Sequence, residues 1–224
     1  MNPQIELGRI AGIPIILDMM FVLVLILFSY PEFTSGDTQQ MSGALVVIAG
    51  LIASILLHEL GHAAAGRLFN ARVSHIRLTG LGGVAQFEKS LPKSTMARTV
   101  IYLAGPAANL LLWLGFRQLA SLMMQNGVPM LSAALFVLAD ANFYLMCFNL
   151  LPAYPLDGGH TLDTWLGGLI NHRWAVRIVA SLGLLLAVWL GFTAFPDNIW
   201  RMLLAFFLFQ TNAEALQGVG GWQR

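Results

Sequence analysis

His58-Glu59-Leu60-Gly61-His62 is the stretch that decides how this chain is read, and its surroundings decide where it sits. Histidines four apart on a helix lie on one face, so both imidazoles can reach a single metal ion, and the glutamate between them is placed to act on water at that ion. The run before the motif, residues 44–57, holds Ser54 as its only polar residue. A helix of that composition has no face suited to water. A glutamate and two histidines at bilayer depth are costly unless they have partners, and a functional site is the reading that accounts for them.

Composition points the same way. Of the 224 residues, 57% are hydrophobic and 10% charged, with mean hydropathy +0.71, whereas about a quarter of a soluble domain is charged. The chain therefore reads as an integral membrane protein. A net charge of +1 gives no reason to expect a nucleic acid or an acidic polymer as partner. Cys147 is the only cysteine, which excludes an intrachain disulfide and a thiolate metal site and leaves it as a small packing residue.

Apolar segments that approach the thickness of a bilayer occur at residues 13–30, 41–66, 99–124, 130–151, 176–195 and 199–216, giving six predicted spans. No small-x-small cleavage pattern precedes Pro31-Glu32-Phe33, so the first segment reads as a retained span and not a signal peptide. The breaks at residues 31–36, 126–129, 152–159 and 196–198 carry turn residues. The last is short enough to make the final two helices an antiparallel hairpin. With the N-terminus inside, ten of the twelve basic residues fall on the inner side, Arg117 and Arg201 excepted, and the first outer loop carries Glu32 and Asp37 with no basic residue. The positive-inside rule then puts both termini in the cytoplasm. Arg67 follows the two histidines by five and nine residues, so the site lies roughly 8 to 14 Å from the cytoplasmic end of its helix.

Two further stretches bear on the site. Residues 73–87 place β-branched and apolar residues on both sides of Gly80, Gly82 and Gly83, which predicts a small β-hairpin between spans two and three. It adjoins the basic segment 89–98 and is expected to associate with the membrane, where extended backbone survives only if buried in protein or lining a wet cavity. At the end of span four stands Asn149-Leu150-Leu151-Pro152-Ala153-Tyr154-Pro155-Leu156-Asp157-Gly158-Gly159. Its prolines cannot continue a helix, so Asp157 is presented from a broken segment. A carboxylate beside two histidines completes three metal ligands and leaves a fourth position open for water, as a catalytic centre requires.

His58-Glu-Leu-Gly-His62 together with Asn149-x-x-Pro-x-x-Pro-Leu-Asp-Gly resembles the site-2 protease family of intramembrane zinc metalloproteases. Ala104-Gly-Pro-Ala-Ala-Asn109 and Gly82-Gly83-Val84-Ala85 are similar to weaker segments of that family, and the likeness runs over residues 8–170. The resemblance implies an all-α polytopic fold with the hairpin inserted. It implies one Zn2+ per chain held by His58, His62 and Asp157, with Glu59 as catalytic base and Asn149 contacting the substrate backbone or the developing oxyanion. Gly82, Gly83, Val84 and Ala85 correspond to a strand along which substrate lies. A transmembrane helix must be unwound before its carbonyls can be attacked, and a strand edge supplies replacement hydrogen bonds. The expected partners are the lipid bilayer and a membrane-spanning protein substrate; a homo-oligomer is an open option. The expected location is a bacterial or archaeal cytoplasmic membrane. Only about thirty residues separate spans two and three and little follows span six, so no PDZ or CBS module is expected. Residues 1–224 read as a single domain, with a core at 8–170 and a C-terminal helical hairpin at 176–216.

The remaining polar residues of the spans have assignments of their own. Asn142 and Asn149, seven apart, share a face and are candidates for lining the cavity, with interhelical hydrogen bonding an equal alternative for Asn142. Asn109 follows Gly105-Pro106 and is assigned to structure. His160 is a candidate for a supporting role beside a metal ligand, and Asp18 for the same role or for marking the water path, with snorkelling an equal alternative for Asp18. His75 and His172 lie in basic stretches and read as solvated, and Trp165, Trp174, Trp200 and Trp222 fall near span ends as interface anchors do. A zinc transporter or sensor using the same ligands is the competing reading. Transport needs ligands along a path, and the other spans offer no second cluster of acidic residues and histidines. A silent family member is disfavoured by the intact metal motif, and a serine protease by the lack of a Gly-x-Ser-x-Gly elbow.

Overall fold

The computed structural model describes residues 4–34, 37–80, 82–195 and 198–218. Ser35, Gly36, Pro196 and Asp197 of the predicted turns, Leu81 of the predicted hairpin, and Trp222 lie outside the described residues, as do both chain ends. The protein is mainly helical with one small sheet, and the chain divides into two compact units, residues 1–90 with 104–146, and residues 91–103 with 147–224.

The first unit begins with a sheet where the sequence suggested a membrane span. Strands β1 (Gln4–Ile10) and β2 (Ile13–Asp18) form an antiparallel hairpin. Ala11 and Gly12 make its two-residue turn with φ of 51° and 82°, the doubly positive geometry that matches the twist of paired strands. Helix α1 (Met19–Thr34) follows, started by Asp18, whose carboxylate accepts from the Met20 N–H at 3.0 Å. The first helix thus starts at Met19 and not at Ile13, and Asp18 caps it. Helix α2 (Thr38–Leu68) is capped by Asp37, which accepts from the Gln39 N–H at 2.8 Å. At 31 residues it is about 46 Å long.

The predicted hairpin is present as β3 (Val73–Thr79) and β4 (Gly82–Phe87), but it is half of a larger sheet. β2 pairs with β3 in parallel, which gives the order β1-β2-β3-β4 with β4 at an edge. Residues alternate between the two faces of a strand. Ile13 and Ile15 of β2 and Ile76 and Leu78 of β3 accordingly bury one face of the sheet, in a core shared with Phe21 of α1 and Ala63 of α2. The sheet is thereby packed against the helix that carries the histidines.

Helices α3 (Thr95–Gln125) and α4 (Pro129–Asn149) contribute most of their length to the first unit. Pro106 lies inside α3, and Pro129 opens α4 at the position where its missing N–H costs nothing. Ala120 of α3 and Leu135 and Leu138 of α4 pack with Val47 and Leu51 of α2.

In the second unit, residues 150–156 leave α4 without regular structure and enter α5 (Asp157–Leu169), an element the sequence reading did not foresee. α6 (His172–Ala194) and α7 (Ile199–Gln217) follow. Asn171 and Asn198 cap them by accepting from the N–H groups of Arg173 and Arg201, and Gly218 ends α7 in the left-handed conformation. Among the described residues, α2, α3, α4 and α6 are long and apolar enough to cross a membrane. Trp165, Trp174 and Trp200 are exposed, as anchors would be. Cys147 is exposed as well, so it does not serve as an interior packing residue.

Candidate metal centre

His58 and His62 face the same way from the last turns of α2, both more than nine-tenths buried, with their Nε2 atoms 3.1 Å apart and their rings nearly perpendicular. Two nitrogens at about 2.0–2.1 Å from one tetrahedral ion would stand about 3.3 Å apart, so the pair is already spaced to share an ion. α2 and α3 approach closely here because Gly61 carries no side chain: a Cβ would come within 2.6 Å of the Ala104 carbonyl. The contact brings Gly105 against the rings. A Cβ on Gly105 would lie 2.4 Å from His62 Nε2 and 2.6 Å from His58 Nε2, so α3 leaves clear the space that an ion would need.

A chain of hydrogen bonds fixes which nitrogen of His58 faces that space. The Ser54 hydroxyl donates to the Gly50 carbonyl at 2.7 Å and accepts from Asn142 Nδ2 at 2.9 Å. Asn142 Oδ1 accepts from Asn109 Nδ2 at 2.8 Å, which turns Asn109 Oδ1 toward His58 Nδ1. A carbonyl oxygen only accepts, so Nδ1 carries the proton and Nε2 presents its lone pair to the gap. Metal-binding histidines are commonly held by such a partner on the far nitrogen. Ser54, Asn109 and Asn142 are all fully buried. Asn142 is therefore an interhelical hydrogen-bonding residue and not a cavity liner, and Asn109 has a more specific task than bracing an irregular helix.

Asp157 is the first residue of α5, with Leu156 at the cap position. A helix N-terminus favours negative charge. One ligand atom each from His58, His62 and Asp157 lie within 4.8 Å of one another, close enough for one metal ion to reach all three. Two imidazoles and a carboxylate are the donor set of a catalytic zinc-type centre with an open position, so the residues present fit a metal.

Glu59, 5% exposed, stands beside β4: a Cβ on Gly83 would come within 2.5 Å of its Cγ and 2.7 Å of its Oε1. The side chain between the two histidines and the glycine-rich strand are therefore in contact. Val84 of the same strand is half exposed. Asn149 is the last residue of α4 and is half buried. His160, on the first turn of α5, is stacked on Tyr102 at 5.1 Å and set edge-on to Tyr154 at 5.3 Å, so it has an aromatic setting. His172 lies 3.5 Å from Asp163 and His75 bonds Ser74, which makes both partnered and only partly solvated. Sequence reasoning missed Gly105 and Ser54. A lone serine in an apolar span was the available signal for the second, and the family-like segment Ala104-Gly105-Pro106 for the first.

Comparison with known proteins agrees with this geometry. Residues 46–136 match the model of peptidase family M50. A zinc metalloprotease of Methanocaldococcus jannaschii is 31% identical over 212 residues, which is 93% of this chain and 59% of that relative. Stage IV sporulation protein FB of Bacillus subtilis is 27% identical over 172 residues, 75% of this chain and 58% of that protein. The chain thus spans about three fifths of the length of these curated relatives. The solved structure of a site-2 protease from Methanocaldococcus jannaschii superposes with a TM-score of 0.71 at 27% identity, covering 96% of this chain and 95% of that one. With four helices long and apolar enough to cross a membrane and three side chains close enough to hold one metal ion, the chain is similar in sequence to peptidase family M50 over residues 46–136 and in fold to a site-2 protease of known structure.

Proposed function

We propose that the chain is a zinc-dependent intramembrane endopeptidase that cuts a peptide bond within or near the transmembrane segment of a membrane protein. The observation that carries this reading is the buried His58, His62 and Asp157 set, with donor atoms within 4.8 Å of one another and Glu59 between the histidines. Bound zinc supplies Lewis acidity, polarising a carbonyl and lowering the pKa of water. Glu59 accepts the proton of the attacking water on its carboxylate and returns it to the departing amide nitrogen. Asn109, through His58 Nδ1, keeps the imidazole in the tautomer that can ligate. Asn149 donates its amide N–H to the substrate carbonyl as negative charge develops there.

The substrate segment lies along the outer edge of β4 at Gly82, Gly83, Val84 and Ala85, paired through main-chain hydrogen bonds. That edge suits the task because Gly83 touches Glu59, so a strand added there runs beside the base. In this reading α1 and α7 join the four long apolar helices to make six spans, and residues 1–224 work as one protease domain. The termini face the cytoplasm of a bacterial or archaeal cell and the centre lies nearer that side, as the distribution of basic residues supports. Co-expression of Glu59→Gln with a membrane substrate tests the proposal. The variant should keep its zinc, fail to cleave and hold the substrate in a recoverable complex, whereas undiminished cleavage would remove Glu59 as the base.

A further inference from the structure

Asn212 is fully buried on α7, far along the sequence from every motif of the site, yet it is hydrogen-bonded to the loop that delivers Asp157. Its Oδ1 accepts from the Tyr154 N–H at 3.1 Å, and its Nδ2 donates to the Tyr154 carbonyl at 2.7 Å and to the Leu208 carbonyl at 2.7 Å. One side-chain amide thus grips both backbone groups of one loop residue, much as a neighbouring strand would. α6 makes room for it at Gly183, where a Cβ would come within 2.1 Å of Oδ1 and 2.6 Å of Nδ2. Around this grip the loop is packed hard. Ala153 and Leu156 bury against Ala187 and Leu208, and Tyr154 buries against Val179, Ala180 and Ala215.

We infer that Asn212 is a positioning residue for Asp157, holding the ligand-bearing loop from the C-terminal helical hairpin. Irregular backbone within a membrane protein is tolerated where protein groups satisfy it, and a buried asparagine in an apolar helix is retained where it is itself satisfied. Tyr154 is joined to Asp157 by two residues of little freedom. Pro155 has its φ fixed by its ring, and the Leu156 N–H donates to the Ala153 carbonyl at 2.9 Å. A shift of Tyr154 is therefore passed to the first turn of α5, where the carboxylate starts. Helix-helix packing alone would not need the amide: a leucine would fill the space and leave the loop free to move.

The inference rests on the reading of Asp157 as a metal ligand, and its test separates the two. The full chain is loaded with Co2+ in detergent, and its visible spectrum and the rate of Co2+ release to a chelator are compared for wild type, Asn212→Leu, Gly183→Ala and Asp157→Ala. Asn212→Leu should change the Co2+ spectrum and speed release roughly ten-fold, the order expected for losing two buried hydrogen bonds. Gly183→Ala, which keeps the asparagine but displaces its amide, should do the same. Combined with Asn212→Ala it should add little, because the group it displaces is gone. In metal-free protein, hydrogen exchange of residues 150–157 should rise in Asn212→Leu while that of the histidine turns of α2 stays as in wild type. Wild-type spectrum and release in folded Asn212→Leu and Gly183→Ala, with Asp157→Ala altered, would overturn the inference and leave the metal reading standing. No change in Asp157→Ala would overturn both.

Discussion

Gly105→Ala puts a methyl group where the account requires space for an ion. The added carbon would stand 2.4 Å from His62 Nε2 and 2.6 Å from His58 Nε2, against about 3.4 Å for ordinary contact. Relief needs a displacement of about 1 Å, and metal-ligand distances hold to about ±0.2 Å, so the two nitrogens cannot stay at ligating positions. Zinc affinity should fall at least about 100-fold, or about 2.8 kcal/mol at 1.4 kcal/mol per factor of ten. Replacing glycine by alanine in a helix interior is favourable by up to about 1 kcal/mol, which offsets part of the cost of moving the imidazoles off the methyl group. The metal-free variant should therefore unfold within a few degrees of wild type. Competition with a chromophoric chelator in detergent measures the affinity, and thermal unfolding with and without zinc shows whether the metal-dependent gain in Tm is lost. A folded Gly105→Ala protein that binds zinc as tightly as wild type would refute the reasoning.

Three further outcomes are expected. Asn109→Leu removes the acceptor from His58 Nδ1–H and the donor to Asn142; zinc affinity should drop about 10- to 100-fold, and Asn109→Asp, which keeps an acceptor for the imidazole, should recover part of it in the same titration. Gly83→Ala drives a Cβ into the Glu59 side chain; cleavage of a co-expressed membrane substrate should fall about 100-fold while zinc content stays at the wild-type level. Asn142→Leu cuts the link between Asn109 and Ser54 and should weaken zinc binding less than Asn109→Leu does, because His58 keeps its direct partner.

Much of the site was legible because its chemistry is local. The spacing of His58 and His62 fixes one helix face by itself, and Pro152 and Pro155 announce the break that frees Asp157. The sheet was half legible. β3 and β4 flank a glycine turn in one short stretch, but β2 reads as the start of a span because the apolar run from Ile13 continues without a polar break into α1, and its partner β3 is some sixty residues away. The alternation of Ile5 and Leu7 with polar residues before Ala11-Gly12 was the missed sign of the β1–β2 hairpin. Contacts made only by folding could not be read at all. Asn109 meets His58 across 51 residues and Asn212 meets Tyr154 across 58, and nothing in the sequence names either partner.

The most direct test of the account is the metal content of purified Asp157→Ala beside wild type. Wild-type protein prepared with zinc and freed of excess should carry one zinc per chain, and folded Asp157→Ala should lose it to a chelator that leaves the wild type loaded. A variant that retains one zinc as firmly as wild type, or a wild-type chain that binds none, would contradict a centre built from His58, His62 and Asp157.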